Sequence, residues 1–298
     1  MDKLDEREPA TRSPITAAPA LAVQFFLIPL TVVAVTVAVY VGFRSLLTDD
    51  RSPKDYLAQI QNGGSDRRWP AAYELSRLMA DPKVRADKSL APSLVKAFLD
   101  SKNDPEVRRY LALAIGRLDP PLAADAVASL TSALDDPDSQ TRISVIWALG
   151  SSGDQAVVPR LVTLYTAPDT DAGIRKMIVY ALGALPGETQ IDTLRTGLQD
   201  SAPDVRWNAA VGLARHGRSE GTAVLHEMID RAYVERTVKR DVRQDEDQDP
   251  IADVMISGIR AGAAIKDASL KQAIETLSLQ DRSMKVRQAA IEALKVMG

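Results

Sequence analysis

The stretch from Asp138 to Gly150, DSQTRISVIWALG, restricts the possible folds more than any other feature, because its pattern returns along most of the chain. Aligned on the arginine, Arg108, Arg142, Arg175, Arg206 and Arg287 follow Val107, Thr141, Ile174, Val205 and Val286, and seven places later come Ile115, Leu149, Leu182, Leu213 and Leu294. Arg68 with Leu75 makes a sixth copy. The third residue after the arginine is apolar every time (Ala71, Leu111, Val145, Ile178, Ala209, Ala290). Apolar positions at spacing four share one face of a helix, so each copy reads as an amphipathic helix. Successive arginines from Arg108 to Arg206 stand 34, 33 and 31 residues apart, a period at which a chain completes a pair of helices and returns to the same phase. The expectation is an all-α solenoid.

Composition agrees and excludes several functions. The 298 residues are 45% hydrophobic but only 5% aromatic, as suits a helical repeat chain rich in small and aliphatic side chains. A net charge of −3 gives no general attraction to nucleic acid. The absence of cysteine removes disulfides, thiolate metal sites and cysteine nucleophiles. His216 and His226 leave little room for imidazole chemistry.

Residues 1–16 are charged, contain proline and lack periodicity, so a disordered tail is expected there. From Ser13 to Phe43 no Asp, Glu, Lys or Arg occurs. About 20 apolar residues span a bilayer core, and residues 17–43 are therefore expected to form a transmembrane helix. Phe25, Phe26, Leu27, Ile28 and Leu30 supply its apolar body, and Tyr40 and Phe43 suit the interface at its end. The run is too long for a signal-peptide core and no small-residue cleavage site follows. Basic residues flank it evenly, and the expected placement is single-pass in a bacterial inner membrane with the solenoid outside the cytoplasm. Residues 44–64 read as a linker containing a short helix at 53–61. The solenoid fills 65–298, with helix pairs near 65–100, 104–135, 138–166, 169–199 and 202–230, a charged insertion at 231–250, a further pair and a last helix at 283–297. Asp104, Asp138 and Asp171 stand where a side chain caps a helix N-terminus. Gly116, Gly150 and Gly183 are expected to supply the left-handed turn that closes each first helix.

The pattern acid-x-x-Val-Arg-x-x-Ala, closed by Ala-Leu-Gly, resembles HEAT repeats of the phycobilisome-lyase-like type over residues 65–298. The resemblance implies a HEAT/armadillo-type right-handed solenoid used mostly for protein–protein binding, and it carries no catalytic residues.

The repeated arginines are expected to tie neighbouring repeats together rather than to bind anions. Asp245, Asp247 and Asp249 alternate as calcium ligands do, but the glycine and distal glutamate of such a loop are missing, so a loop capping the following helix is expected. His226 and Glu227 have no partner motif. No phosphate loop, catalytic triad or metal-ligand cluster occurs, and the chain is expected to be neither an enzyme nor a carrier of any cofactor or metal. One feature stands out. The fifth residue after the arginine is Tyr73, Leu113, Trp147, Tyr180 and Val211 in five successive repeats, and the first includes Trp69, Ile143 and Trp207. An exposed aromatic row on a solenoid is a partner-binding strip. The expected function is a non-catalytic membrane-anchored scaffold or accessory subunit that binds protein partners, integral-membrane subunits above all, with no nucleic acid and no small-molecule substrate. The alternatives are a peripheral module that captures a soluble protein or peptide on the concave face, through Ser129, Arg160, Thr163, Thr193 and Arg195, and a lyase-like enzyme.

Overall fold

The computed structural model describes residues 28–47, 51–238 and 249–298, which form helices joined by short connections, with no strand among the described residues. The chain divides into two units, residues 1–51 and 52–298.

The first unit contains α1 (Ile28–Leu47). Its described side chains, from Ile28 to Gly42, are all exposed, Leu30 and Tyr40 among them. The expected membrane anchor is corrected here: no helix among the described residues is long and apolar enough to cross a membrane. The charge-free part of α1 ends before Arg44. It is about 24 Å long at 1.5 Å per residue, against a hydrocarbon core of ~30 Å. The single-pass inner-membrane placement and the extracytoplasmic solenoid rested on that segment and fall with it. Phe25, Phe26, Leu27 and the tail 1–16 lie outside the described residues, as does the side chain of Phe43.

The second unit opens with α2 (Pro53–Asn62), which starts at a capping box: Ser52 accepts from the Asp55 amide while the Asp55 carboxylate accepts from the Ser52 amide. Five helix pairs follow. The first helices are α3 (Ser65–Leu78), α6 (Pro105–Gly116), α8 (Ser139–Gly150), α10 (Ala172–Ala184) and α12 (Pro203–Arg215). The second helices are α5 (Ala91–Asp100), α7 (Ala124–Thr131), α9 (Val158–Thr166), α11 (Ile191–Gly197) and α13 (Thr222–Ile229), with a one-turn α4 (Pro82–Arg85) before α5. α14 (Arg231–Thr237) precedes α15 (Pro250–Ala264), α16 (Ala268–Gln280) and α17 (Met284–Met297). Asp104, Asp138 and Asp171 accept the amides of Val107, Thr141 and Ile174, and Asp249 does the same for Ala252 at the start of α15. Asp245 and Asp247 lie outside the described residues.

The apolar stripe of each first helix is buried where the period places it: Leu111, Ile115, Val145, Leu149, Ile178, Leu182, Ala209 and Leu213 are all closed to solvent. The glycines are not the turns they were expected to be. Gly116, Gly150 and Gly183 are helical, and the left-handed residues come later, at Gly153, Gly187 and Gly217. What the helical glycines provide is close approach. A Cβ on Gly116 would stand 2.6 Å from Cα of Ala148, one on Gly150 would stand 2.7 Å from Cα of Ala181, and one on Gly183 would stand 2.5 Å from Cα of Gly212. The first helices therefore stack backbone to backbone, so closely that even the methyl of an alanine would clash.

The repeated arginines act as ties. Arg68 pairs with Asp104 of the next repeat at 3.0 Å, and Arg108 with Asp136 at 2.7 Å. Arg175 grips Asp200 with Nε and Nη2 at 2.8 and 3.0 Å. Arg142, Arg206 and Arg287 donate to the carbonyls of Asp136, Asp200 and Asp281 in the turns ahead of their own helices. Hydrogen bonds from Arg175, the largest influence, hold the Asp200 carboxyl below its ordinary range, aided by the Ala202 amide and opposed by burial. A carboxyl with a depressed folded pKa stabilises the fold above its unfolded value of about 3.9, and this contribution is lost as pH falls through the lower folded value. Asp200→Asn is therefore expected to melt lower than wild type at neutral pH, with the gap narrowing below about pH 4; melts across pH measure it, and a constant gap refutes the assignment.

Candidate functional site

The first and fifth positions after each arginine lie away from the buried stripe, and the structure grades them along the stack. Trp69 and Tyr73 are exposed, at 42% and 39%. Leu113, Ile143, Trp147, Tyr180 and Val211 are half-buried. Trp207 is buried at 4% and belongs to the core formed by α12 to α17. At Trp147 the cause is the close stacking of the first helices, and at Trp207 it is packing into the core of the helices that follow α12. The ring of Trp147 packs over Gly116 of the preceding repeat.

Three arginines complete the surface, and each is the ninth residue after a repeat arginine. Arg77 lies over the Tyr73 ring at 5.8 Å, Arg117 over Trp147 at 6.0 Å and Arg215 over Tyr180 at 5.4 Å. Tyr110 meets Tyr73 edge to face at 5.3 Å between ring centres. These residues were missed in the sequence because the arginine recurs in only three of the six copies; Ser151, Ala184 and Val296 stand at the same place in the others. Where the side chain is small, the surface opens. A cavity of about 500 Å³ lies beside Trp147 and Ser151, and one of about 490 Å³ beside Tyr180, Ala184 and Arg215. A third, of about 300 Å³, runs between α10, α12 and α15, lined by Lys176, Tyr180, Trp207 and Asp253 among others. The face is thus a series of aromatic hollows edged by guanidinium groups. Its rings offer apolar area and its arginines offer forked donors to carboxylates and carbonyls.

Four of the five residues expected on the concave face, Ser129, Arg160, Thr163 and Arg195, are occupied locally. Arg160 pairs with Asp135, and Arg195 with Asp192 and Glu220 at 2.8 and 2.6 Å. Ser129 and Thr163 donate to carbonyls of their own helices. His216 lies 3.4 Å from Gln190, and His226 lies 3.2 Å from Ser269. Among the described residues no group of three or more His, Cys, Asp or Glu is placed to hold a metal ion.

The family model for HEAT repeats matches residues 91–173 and again 165–244, more than half of the chain. The chain belongs to the HEAT-repeat family. A deoxyhypusine hydroxylase of Candida albicans is 26% identical over 134 residues, which cover 45% of this HEAT-repeat chain and 42% of the relative. The chain thus matches less than half the length of that relative. The expectation that the chain is not an enzyme is corrected by this match, because the relative is a hydroxylase. Solved structures with a similar course include an engineered protein (18% identical, TM-score 0.43, covering 83% of this chain and 96% of that one). Human deoxyhypusine hydroxylase in complex with glycerol is 16% identical with a TM-score of 0.36, covering 82% and 84%.

Proposed function

We propose that this HEAT-repeat protein binds a protein partner along the first-helix face, an extended segment of the partner lying across Trp69, Tyr73, Leu113, Ile143, Trp147 and Tyr180 and ending at Val211, with the buried Trp207 behind it in the wall of the cavity between α10, α12 and α15. The observation that supports this reading is the line of open hollows at the ring faces, each edged by an arginine whose guanidinium rests on a ring. Aromatic and arginine side chains are what binding hot spots are made of, since a rigid ring loses much wet surface while freezing few torsions. Trp147→Ala tests it. The ring is half-buried, so the substitution is expected to cost about 1–3 kcal/mol of stability, between a surface change and a full core truncation. The same change is expected to weaken partner binding by ~2 kcal/mol or more. Chemical cross-linking of the full chain followed by mass spectrometry identifies the partner, and titration of that purified partner gives the affinity. An unchanged affinity in a folded Trp147→Ala protein refutes the reading.

A second reading, that the chain hydroxylates a deoxyhypusine-like group, is favoured by the match to the Candida albicans enzyme. Incubation of a deoxyhypusine-bearing peptide with dioxygen as the oxidant and an added reductant that takes the second oxygen atom to water, followed by a search for the mass gain of one oxygen atom, tests it, and an unchanged peptide mass refutes it.

A further inference from the structure

The stack of first helices is interrupted once. Gly116, Gly150 and Gly183 each meet the backbone of the next first helix, but Gly258 of α15 faces Met228 and Ile229 of α13, and Gly262 faces Leu270 of α16. α15 therefore does not close on α12 as α12 closes on α10, and the cavity of about 300 Å³ occupies the difference. Trp207 lines it, and the ring's Nε1 is sealed from solvent with no acceptor among the described residues. An indole N–H without a partner is a cost the fold carries until an acceptor is admitted. The two walls differ in charge. On the α12 wall, Arg215 rests on Tyr180 and has no carboxylate partner among the described residues; on the α15 wall, Asp253 has no cationic partner among them. Lys176 and Asp204, also on the lining, already neutralise each other at 3.2 Å.

We infer that the gap between α12 and α15 is the specificity pocket for the bound segment: it takes an extended stretch in which a basic and an acidic residue adjoin beside an apolar one. In an extended chain successive side chains point to opposite sides, so a neighbouring Lys and Glu reach Asp253 and Arg215 on the two walls at once. The apolar side chain covers the Trp207 ring, and a backbone carbonyl of the segment accepts the Nε1 proton as the gap widens. This inference rests on the first-helix face being a polypeptide-binding surface, and its test is separate from the Trp147 test above.

The probes are the acetylated, amidated peptides Gly-Leu-Lys-Glu-Leu-Gly, the same with Lys and Glu exchanged, and a control with Gln at both positions, titrated into the full ¹⁵N-labelled chain. The Trp207 indole signal is identified by its loss in Trp207→Phe, or by elimination with Trp69→Phe and Trp147→Phe where Trp207→Phe does not fold. The expected result is a shift of that signal with at least one charged peptide and none with the Gln control, the affinity falling about tenfold in Arg215→Gln and in Asp253→Asn. A Trp207 signal that no peptide moves, or that the Gln control moves equally, overturns the pocket. If partner affinity still falls in Trp147→Ala, the wider binding face survives that loss; if it does not, both readings fail.

Discussion

Gly183→Val is expected to lower the stability of the solenoid by about 4 kcal/mol or more, a change large enough to abolish folding in a marginal domain. Two effects oppose each other at this position. Any residue with a side chain stiffens a helix relative to glycine, a gain below about 1 kcal/mol, and less for a β-branched residue. Against it, the new Cβ would stand 2.5 Å from Cα of Gly212, and that neighbour is backbone, which cannot rotate aside. Overpacking ordinarily costs ~1–3 kcal/mol because side chains yield; here α10 and α12 must separate, which also loosens Ile178 and Leu213 in the core beneath. Gly212→Ala should cost less, because its Cβ would meet Cα of Gly183 at 3.0 Å and otherwise the movable tips of Leu194. Thermal melts of the two variants rank them. For a domain of this size a deficit of 4 kcal/mol is a drop of about 8–16 °C, and a Gly183→Val protein that melts with wild type means that the two helices do not stack at that distance.

The same contact shows what could be read from the sequence and what could not. The arginine phase, the capping aspartates and the buried positions +3 and +7 are local and periodic, so a single chain displays them. The role of Gly116, Gly150 and Gly183 is not local. A glycine after Ala-Leu suits a left-handed turn and a close backbone approach equally well, and only the partner decides. That partner was visible as a correlation between repeats: each of these glycines is eighth after its arginine and meets the sixth residue of the next copy, Ala148, Ala181 or Gly212, always small. The aromatic row failed differently. Its helical face was legible, but Trp69 and Trp207 hold the same position in their repeats and are exposed and buried respectively. Burial there is set by how far apart neighbouring helices stand, and the sequence of one repeat does not contain that distance. In α1, an apolar run counted along the chain exceeded the apolar length of the helix that the described residues form.

The second large effect is expected at Asp136. Its carboxylate faces Arg108 at 2.7 Å, and the two side chains are only 8% and 6% exposed. The Arg108 Nε–H does not point along that line, so the contact is an ion pair rather than a directed hydrogen bond. The guanidinium is held besides by the Phe98 carbonyl at 3.2 Å and by the Phe98 ring at 4.4 Å. Asp136→Ala leaves a cation that cannot lose its proton in a space with almost no water, and breaking a buried pair in this way costs ~3–5 kcal/mol. The Asp138 amide also loses the acceptor that Asp136 provides at 3.0 Å. Lys96–Asp100 sets the scale of an exposed pair, with side chains 69% and 56% open, and Asp100→Ala is expected to change stability by less than about 0.5 kcal/mol. The combination Arg108→Met with Asp136→Ala decides between charge and packing. If the loss in Asp136→Ala comes from the stranded cation, removing that cation as well restores much of the stability, because an apolar side chain suits the space against Phe98. If the double variant is instead less stable than Asp136→Ala by the full cost of a core truncation, then Arg108 acts mainly as a packing element over the Phe98 ring, and its charge is incidental to the stack.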